Sequence, residues 1–326
     1  LIRIFFIFFI KKKVTTKQNK TTKTNPQKKQ KMSTQFRYYQ SDADTAIYNE
    51  LLINDKCLVK MFCGTGKSLL MRHCMSAQNT RLLVYVFPSL SLLDQFCNDY
   101  FEPDCCPFKI SSNDDSTTED IAIQHELRKT TTTNRIICVT YQSYETLLTN
   151  LGTIKINMCI YDEAHHAFAE TYQEHIFVNG PSTCEKQIFF TATPNPKKDN
   201  TMCGKLVYDY TYLQGLNDNY LNLFQIRVDM YTNNTNISVL ESIARAILIS
   251  GNNRVLTFHS DVNTDRDTSV ANFVNEGEFI RSFQKVQTEE FPEKQGMYTH
   301  IQMIALDASI KPSIRNILLD NFDKTP

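Results

Sequence analysis

An apolar run, "CLVKMF" from Cys57 to Phe62, opens directly into Gly64-Thr65-Gly66-Lys67-Ser68 and then into a helix-like segment, "LLMRH". A strand, a glycine-bearing turn and a helix in immediate succession constrain the chain strongly, because they belong to a parallel α/β layer fold. The backbone N–H groups of such a turn face inward, and the helix that follows presents its positive end to an anion. In that setting Lys67 reaches terminal phosphates and the Ser68 hydroxyl holds Mg²⁺. The competing reading is a turn that merely precedes a helix, because the strict phosphate-loop pattern has Gly where this chain has Met61. The rest of the chain has to decide between the two.

With 326 residues there is room for two domains of ordinary size. The 35 basic and 35 acidic residues balance only because residues 1–31 carry ten of the basic ones and no acid. The body is therefore acidic, and any nucleic-acid site has to be a local groove. Ten cysteines include no C-x-x-C pair and no zinc spacing, which is the usage of a reducing compartment. The expected location is cytoplasmic or viral, not secreted. The opening segment, "LIRIFFIFFIKKK", begins with Leu, and its apolar part is too short to span a bilayer. Its charges follow the apolar run, the reverse of a signal peptide. Residues 1–31 read as a disordered basic tail, or as translated sequence upstream of a start at Met32. They are set apart from the fold, and no membrane is expected as a partner.

From Phe36 onward helix-like and strand-like segments alternate. "SDADTAIYNELL" has a Ser/Asp start and places Ala43, Ile47 and Leu51 on one face. "RLLVYVF" is a continuous apolar strand, "SLSLLDQFCNDYF" and "EDIAIQHELRK" are helices, and "RIICVTY", "INMCIY" and "QIFFTATP" are further strands. Between Gly204 and Asn219 the pattern loosens into a Tyr-rich, turn-rich connection. A second alternation follows, with strands "LFQIRVDMY", "RVLTFHS" and "IQMIAL", and helices "SVLESIARAILI", a polar one, and "IRNILLDNF". The domain boundary is placed at roughly residue 215, giving units 32–215 and 216–326.

The second chemistry-bearing stretch is Asp162-Glu163-Ala164-His165, at the end of the strand "NMCIY" and 95 residues after Lys67. Ligands of open α/β sheets sit at strand ends. Asp162 there can hold Mg²⁺, and Glu163 can orient and deprotonate the attacking water. A helix start enriched in acids is the plainer alternative for an isolated pair.

Taken together these segments resemble a superfamily 2 helicase or translocase of the DEAD/DEAH type. "FRYYQSDA" resembles the Q motif, "GTGKS" motif I, "FPSLSLLDQF" motif Ia and "VTYQS" motif Ib. "DEAH" resembles motif II, "TATP" motif III and "VLTFHS" motif IV. The flavour of "DEAHH" and "TATP" is similar to restriction-enzyme motor subunits and to the helicases of large DNA viruses.

The resemblance implies an α/β fold with a RecA-like P-loop NTPase lobe and a partial second RecA-like lobe. It implies ATP and Mg²⁺ as cofactors. Gln40, Arg37, Gly64, Thr65, Gly66, Lys67 and Ser68 would bind nucleotide, with Gln40 reading adenine, and Ser68 and Asp162 would hold the metal. Glu163, Lys67, Asp162 and His165 would form the catalytic set. Thr191, Ala192 and Thr193 would couple the lobes, and Pro88, Ser89 and Thr140 would contact nucleic-acid phosphates. The implied partner is nucleic acid, DNA before RNA, engaged by a monomeric motor or one within a transcription or replication assembly. A module that binds ATP and nucleic acid without turnover is the alternative. The resemblance also calls for a late Q-x-x-R-x-x-R motif, which this sequence does not contain. The chain is accordingly expected to be C-terminally truncated, and to bind ATP while hydrolysing it poorly.

Overall fold

The structure, a computed structural model, describes residues 35–74, 81–102, 107–112, 116–129, 135–194, 202–224, 238–251, 255, 277–295, 314 and 317. The N-terminal tail, Met32, most of "VLTFHS" with His259 and Ser260, and the strand "IQMIAL" lie outside the described residues, as does most of "LFQIRVDMY" and "IRNILLDNF". The chain divides into two compact units between Leu221 and Asn222.

In the first unit, helix α1 (Tyr38–Ile53) leads into β1 (Lys56–Met61) and α2 (Lys67–His73). Then follow β2 (Leu82–Phe87), α3 (Leu90–Tyr100), β3 (Phe108–Ile110), α4 (Asp120–Arg128), β4 (Arg135–Thr140), α5 (Tyr144–Asn150) and β5 (Ile156–Tyr161). Short helical turns, including α6 (Glu170–Gln173) and α7 (Gly180–Thr183), connect to β6 (Cys184–Thr191), β7 (Lys205–Tyr210) and α8 (Tyr212–Asn217). The seven strands form one sheet in the order β3-β4-β2-β5-β6-β1-β7, and every pairing is parallel.

The reason is visible in β2. All six of its residues are buried. Leu83, Tyr85 and Phe87 join the core beneath α1, α2 and α3, while Leu82, Val84 and Val86 join the core beneath α4 and α5. A strand apolar on both faces needs helices on both sides of the sheet, and parallel crossovers supply them. Because all strands run the same way, the ends of β1, β2, β4, β5 and β6 share one sheet edge. That edge carries Cys63–Ser68, Pro88–Ser89, Tyr141, Asp162–His165 and Ala192–Thr193.

Two local expectations are corrected. The segment read as a loose connection after Gly204 contains a seventh strand and a capped helix. Residues 205–210 pair with β1 across a register shift at Leu58/Val59, and Thr211 caps α8 by accepting from Gln214 N–H. Tyr208 and Tyr210 are strand formers there rather than turn residues. Helix α1 begins at Tyr38, ahead of the Ser/Asp start, because Gln40 Oε1 accepts from Arg37 N–H at 2.9 Å and closes the first turn. Ala43, Ile47 and Leu51 are buried as their spacing demands.

In the second unit α9 (Val239–Ser250) and α10 (Glu278–Glu290) pack through Leu240, Ala244, Ile247 and Leu248 against Phe279, Phe283 and Val286. Arg245 pairs with Glu290 at 2.6 Å and Lys285 with Glu241 at 2.9 Å along their rims. The helix read as polar is thus amphipathic. Among the described residues no helix is long and apolar enough to cross a membrane.

Candidate nucleotide site

The turn after β1 is held from two sides. Gly64 and Gly66 have φ of 79° and 83°, left-handed values that favour glycine, whereas Met61 has no positive φ. Met61 is the last residue of β1, with its side chain fully buried, so the position that strictly carries Gly tolerates a core residue here. Within the loop, Thr65 Oγ1 donates to Phe62 O at 2.6 Å. From α1, the buried Tyr39 hydroxyl donates to Thr65 O at 2.7 Å. Gln40 Nε2 reaches the carbonyls of Thr65 and Gly66 at 3.2 and 3.3 Å. A Cβ at Gly66 would stand 2.4 Å from Gln40 Nε2. Gln40 is therefore placed as a brace of the loop, with both ends of its amide engaged inside the protein. Tyr39, its sequence neighbour, is a second brace that the motif does not reveal, since nothing in "RYYQ" distinguishes it from the exposed Tyr38.

Lys67 and the motif at the end of β5 meet directly. Lys67 Nζ lies 3.3 Å from Glu163 Oε1 and donates to Met61 O at 3.3 Å. Glu163 Oε2 lies 3.4 Å from His165 Nδ1, and that nitrogen lies 3.4 Å from Thr191 Oγ1. Thr191 Oγ1 in turn accepts from Thr193 N–H at 3.2 Å. A polar chain therefore runs from Lys67 through Glu163 and His165 to the Thr191–Thr193 turn at the end of β6. Glu163 adopts φ 45°, ψ 57°, a left-handed conformation that costs a non-glycine residue about 1–3 kcal/mol. This bend turns the carboxylate out of the line of β5 and toward Lys67.

Asp162 is only 7% exposed. Its Oδ1 accepts from Glu163 N–H at 3.0 Å, and its carbonyl accepts from the buried Tyr141 hydroxyl at 3.0 Å. Burial, then the Glu163 charge, push the Asp162 carboxyl up to about 6, against the opposing pull of Lys67. Folded Asp162 thus binds protons that the unfolded chain has released, so this group's contribution to stability falls as pH rises from about 4 to about 6. The whole cost stands above that window and vanishes below it. A shift of about two units corresponds to about 3 kcal/mol. Asp162→Asn keeps the acceptor for Glu163 N–H and removes the buried charge. The expected result, read by thermal unfolding of the ligand-free protein, is a higher Tm at pH 7.5 and no gain at pH 4. A lower Tm for the variant at pH 7.5 would contradict the buried-charge account.

The donor set suits magnesium. Ser68 in the first turn of α2 and Asp162 at the end of β5 offer hard oxygens, and Mg²⁺ takes few protein ligands beside phosphates and water. The three residues assigned to nucleic acid fall on the same sheet edge with different exposures. Pro88 and Ser89 are half-buried, and Ser89 caps α3 by accepting from Leu92 N–H at 3.3 Å. Thr140 is 5% exposed and its hydroxyl donates to Ser143, so its side chain is turned into the protein. Beside the loop, a cleft of about 650 Å³ is lined by Phe36, Arg37, Gln40, Gly64, Gly66 and Tyr220, among others.

The model of the type III restriction enzyme res subunit family matches residues 33–196, half of the chain. The chain belongs to this family. Residues matched by the family model include the braced loop, the Asp162–His165 turn and the end of β6 that join in the polar chain. The curated relatives are the probable helicase A859L of two African swine fever virus isolates, 24% identical over 213 residues. That match covers 59% of this chain and 24% of the viral protein, so the chain spans about a quarter of those relatives' length. Among solved structures, the nuclease-deletion mutant of the type ISP restriction-modification enzyme LlaGI, in complex with a DNA substrate mimic, has a TM-score of 0.50 at 19% identity. That likeness covers 66% of this chain and 22% of LlaGI, and it shows the fold. The chain is of the superfamily 2 helicase type, and its first unit is a RecA-like α/β lobe.

Proposed function

We propose that this chain binds Mg-ATP at the loop of Gly64–Ser68 and carries the nucleotide-hydrolysing lobe of a motor that moves on nucleic acid, DNA before RNA. The observation that carries this is the contact of Lys67 with Glu163 and of Glu163 with His165, itself beside Thr191. Phosphate-reading cation, water-orienting carboxylate and the turn after β6 form one connected unit. Gly64, Thr65, Gly66 and Lys67 cradle and neutralise the phosphates, and Ser68 and Asp162 hold the metal, which stabilises charge on the transferring phosphoryl group. Glu163 accepts the proton of the attacking water. A change at the phosphates that draws Lys67 away frees Glu163 and His165, and through Thr191 reaches Ala192 and Thr193, where interlobe coupling is assigned. The part-exposed Pro88 and Ser89 contact the nucleic-acid backbone. Family membership and the viral relative support nucleic acid as the partner, in an intracellular setting.

The test is phosphate release by the full-length protein with and without single-stranded DNA and with single-stranded RNA. Stimulation by DNA above RNA is expected. ATP turnover indifferent to both polymers would reject the motor reading, and ATP binding with no turnover would favour the binding module.

A further inference from the structure

The Tyr-rich segment that ends the first unit belongs to the nucleotide cleft, and its last aromatic faces that cleft. Tyr220 is 39% exposed, unlike the buried Tyr39 and Tyr210 behind it. It lines the cleft together with Arg37, Gln40, Gly64 and Gly66. The Arg37 guanidinium lies over the Tyr220 ring, 4.2 Å from its centroid. The ring's accessible face is thus already occupied by a flat, cationic group, as a stacking surface would be.

Its position is fixed with unusual firmness for an exposed side chain. Asn219 takes a left-handed φ of 60°, and the Gly215 carbonyl accepts from both Tyr220 N–H and Leu221 N–H at 2.9 Å. Asp218 Oδ2 accepts from the Tyr38 hydroxyl at the start of α1, and from the Tyr210 hydroxyl at 2.5 Å. Tyr210 stacks on Tyr39 with centroids 3.9 Å apart, and Tyr39 is the brace of the loop. One network therefore ties the end of the unit to the phosphate loop and points a rigid aromatic ring into the space beside it. Gln40 has both ends of its amide committed internally, and among the flat groups lining the cleft, which include the rings of Phe36, Tyr38 and Tyr100, the Tyr220 ring and the Arg37 guanidinium already lie one over the other.

We propose that Tyr220 is the base-stacking residue of the nucleotide site: the purine lies on the Tyr220 ring in the place now held by the Arg37 guanidinium, which moves to the purine's other face. This rests on the ATP reading above and assigns its base-side contact. A stacking platform reads the flat face of a base and not its edge, so it adds affinity for any purine nucleotide.

The experiment compares binding of Mg-ATP and of inorganic tripolyphosphate with magnesium, by calorimetry, in the full chain. Tyr220→Ala should weaken ATP roughly tenfold, the usual loss for one base–aromatic stack, and leave tripolyphosphate unchanged. Tyr220→Phe should bind both like the parent. The chain contains no Trp, so Tyr220→Trp supplies its one tryptophan, whose emission ATP should quench and tripolyphosphate should not. Tyr220→Ala binding ATP as tightly as the parent would overturn the proposal while leaving the phosphate-loop reading intact. Equal weakening of both ligands would also overturn it, by showing a structural role. A parent chain that binds neither ligand would remove both readings together.

Discussion

Glu163→Gln is expected to keep Mg-ATP binding and to lower ATP turnover by on the order of a hundredfold or more, the scale of a lost general base. The two shapes are nearly the same, so the left-handed turn at Glu163 and the reach toward Lys67 survive the change. What is lost is the carboxylate that accepts a proton. In the ligand-free protein that carboxylate also holds Lys67 at 3.3 Å, so its neutralisation releases the lysine for phosphate. ATP affinity should therefore stay level or tighten while turnover collapses. Phosphate release and calorimetric titration of the full-length protein check the two halves separately. Unchanged turnover would remove Glu163 from the chemistry.

Much of this was legible in the residues, for physical reasons that differ between elements. The buried strand β2 announced itself because six consecutive apolar side chains have nowhere to go except a sheet covered on both faces. The loop and the Asp162–His165 turn were legible because phosphate and metal chemistry restrict the residue types to a few. The strand β7 was not legible. Its pattern, "KLVYDY", carries one lysine, one aspartate and two tyrosines, as an edge strand bordering solvent can, and apolar alternation is weak there. The role of Gln40 as a brace was equally hidden, since which way an amide points depends on the loop 25 residues downstream that it meets. The polar chain from Lys67 to Thr191 also needed the sheet order. Only the placement of β6 between β5 and β1 brings the end of β6 beside both motifs.

Lys67→Ala is expected to remove most of the affinity for Mg-ATP, by roughly ten- to a hundredfold, as for hydrogen bonds to a charged group of about 1.5–3 kcal/mol. Lys67 is the cation that the structure places against both the loop and the acidic turn, with a side chain only 10% exposed. Its removal has a second consequence. The ion pair with Glu163, which nucleotide binding has to break, disappears with it and offsets part of the loss. The two effects separate in a double-mutant cycle. Lys67→Ala in a Glu163→Gln background should cost more affinity than Lys67→Ala alone, because with Glu163 neutral no ion pair has to be given up for the lysine to reach phosphate. That larger cost is the direct contact of lysine with phosphate. Four calorimetric titrations complete the cycle. Equal affinity of the parent and Lys67→Ala would sink the phosphate-loop assignment. Equal costs in both backgrounds would show that the Lys67–Glu163 contact has no bearing on nucleotide binding, leaving Glu163 with its role in the chemistry alone.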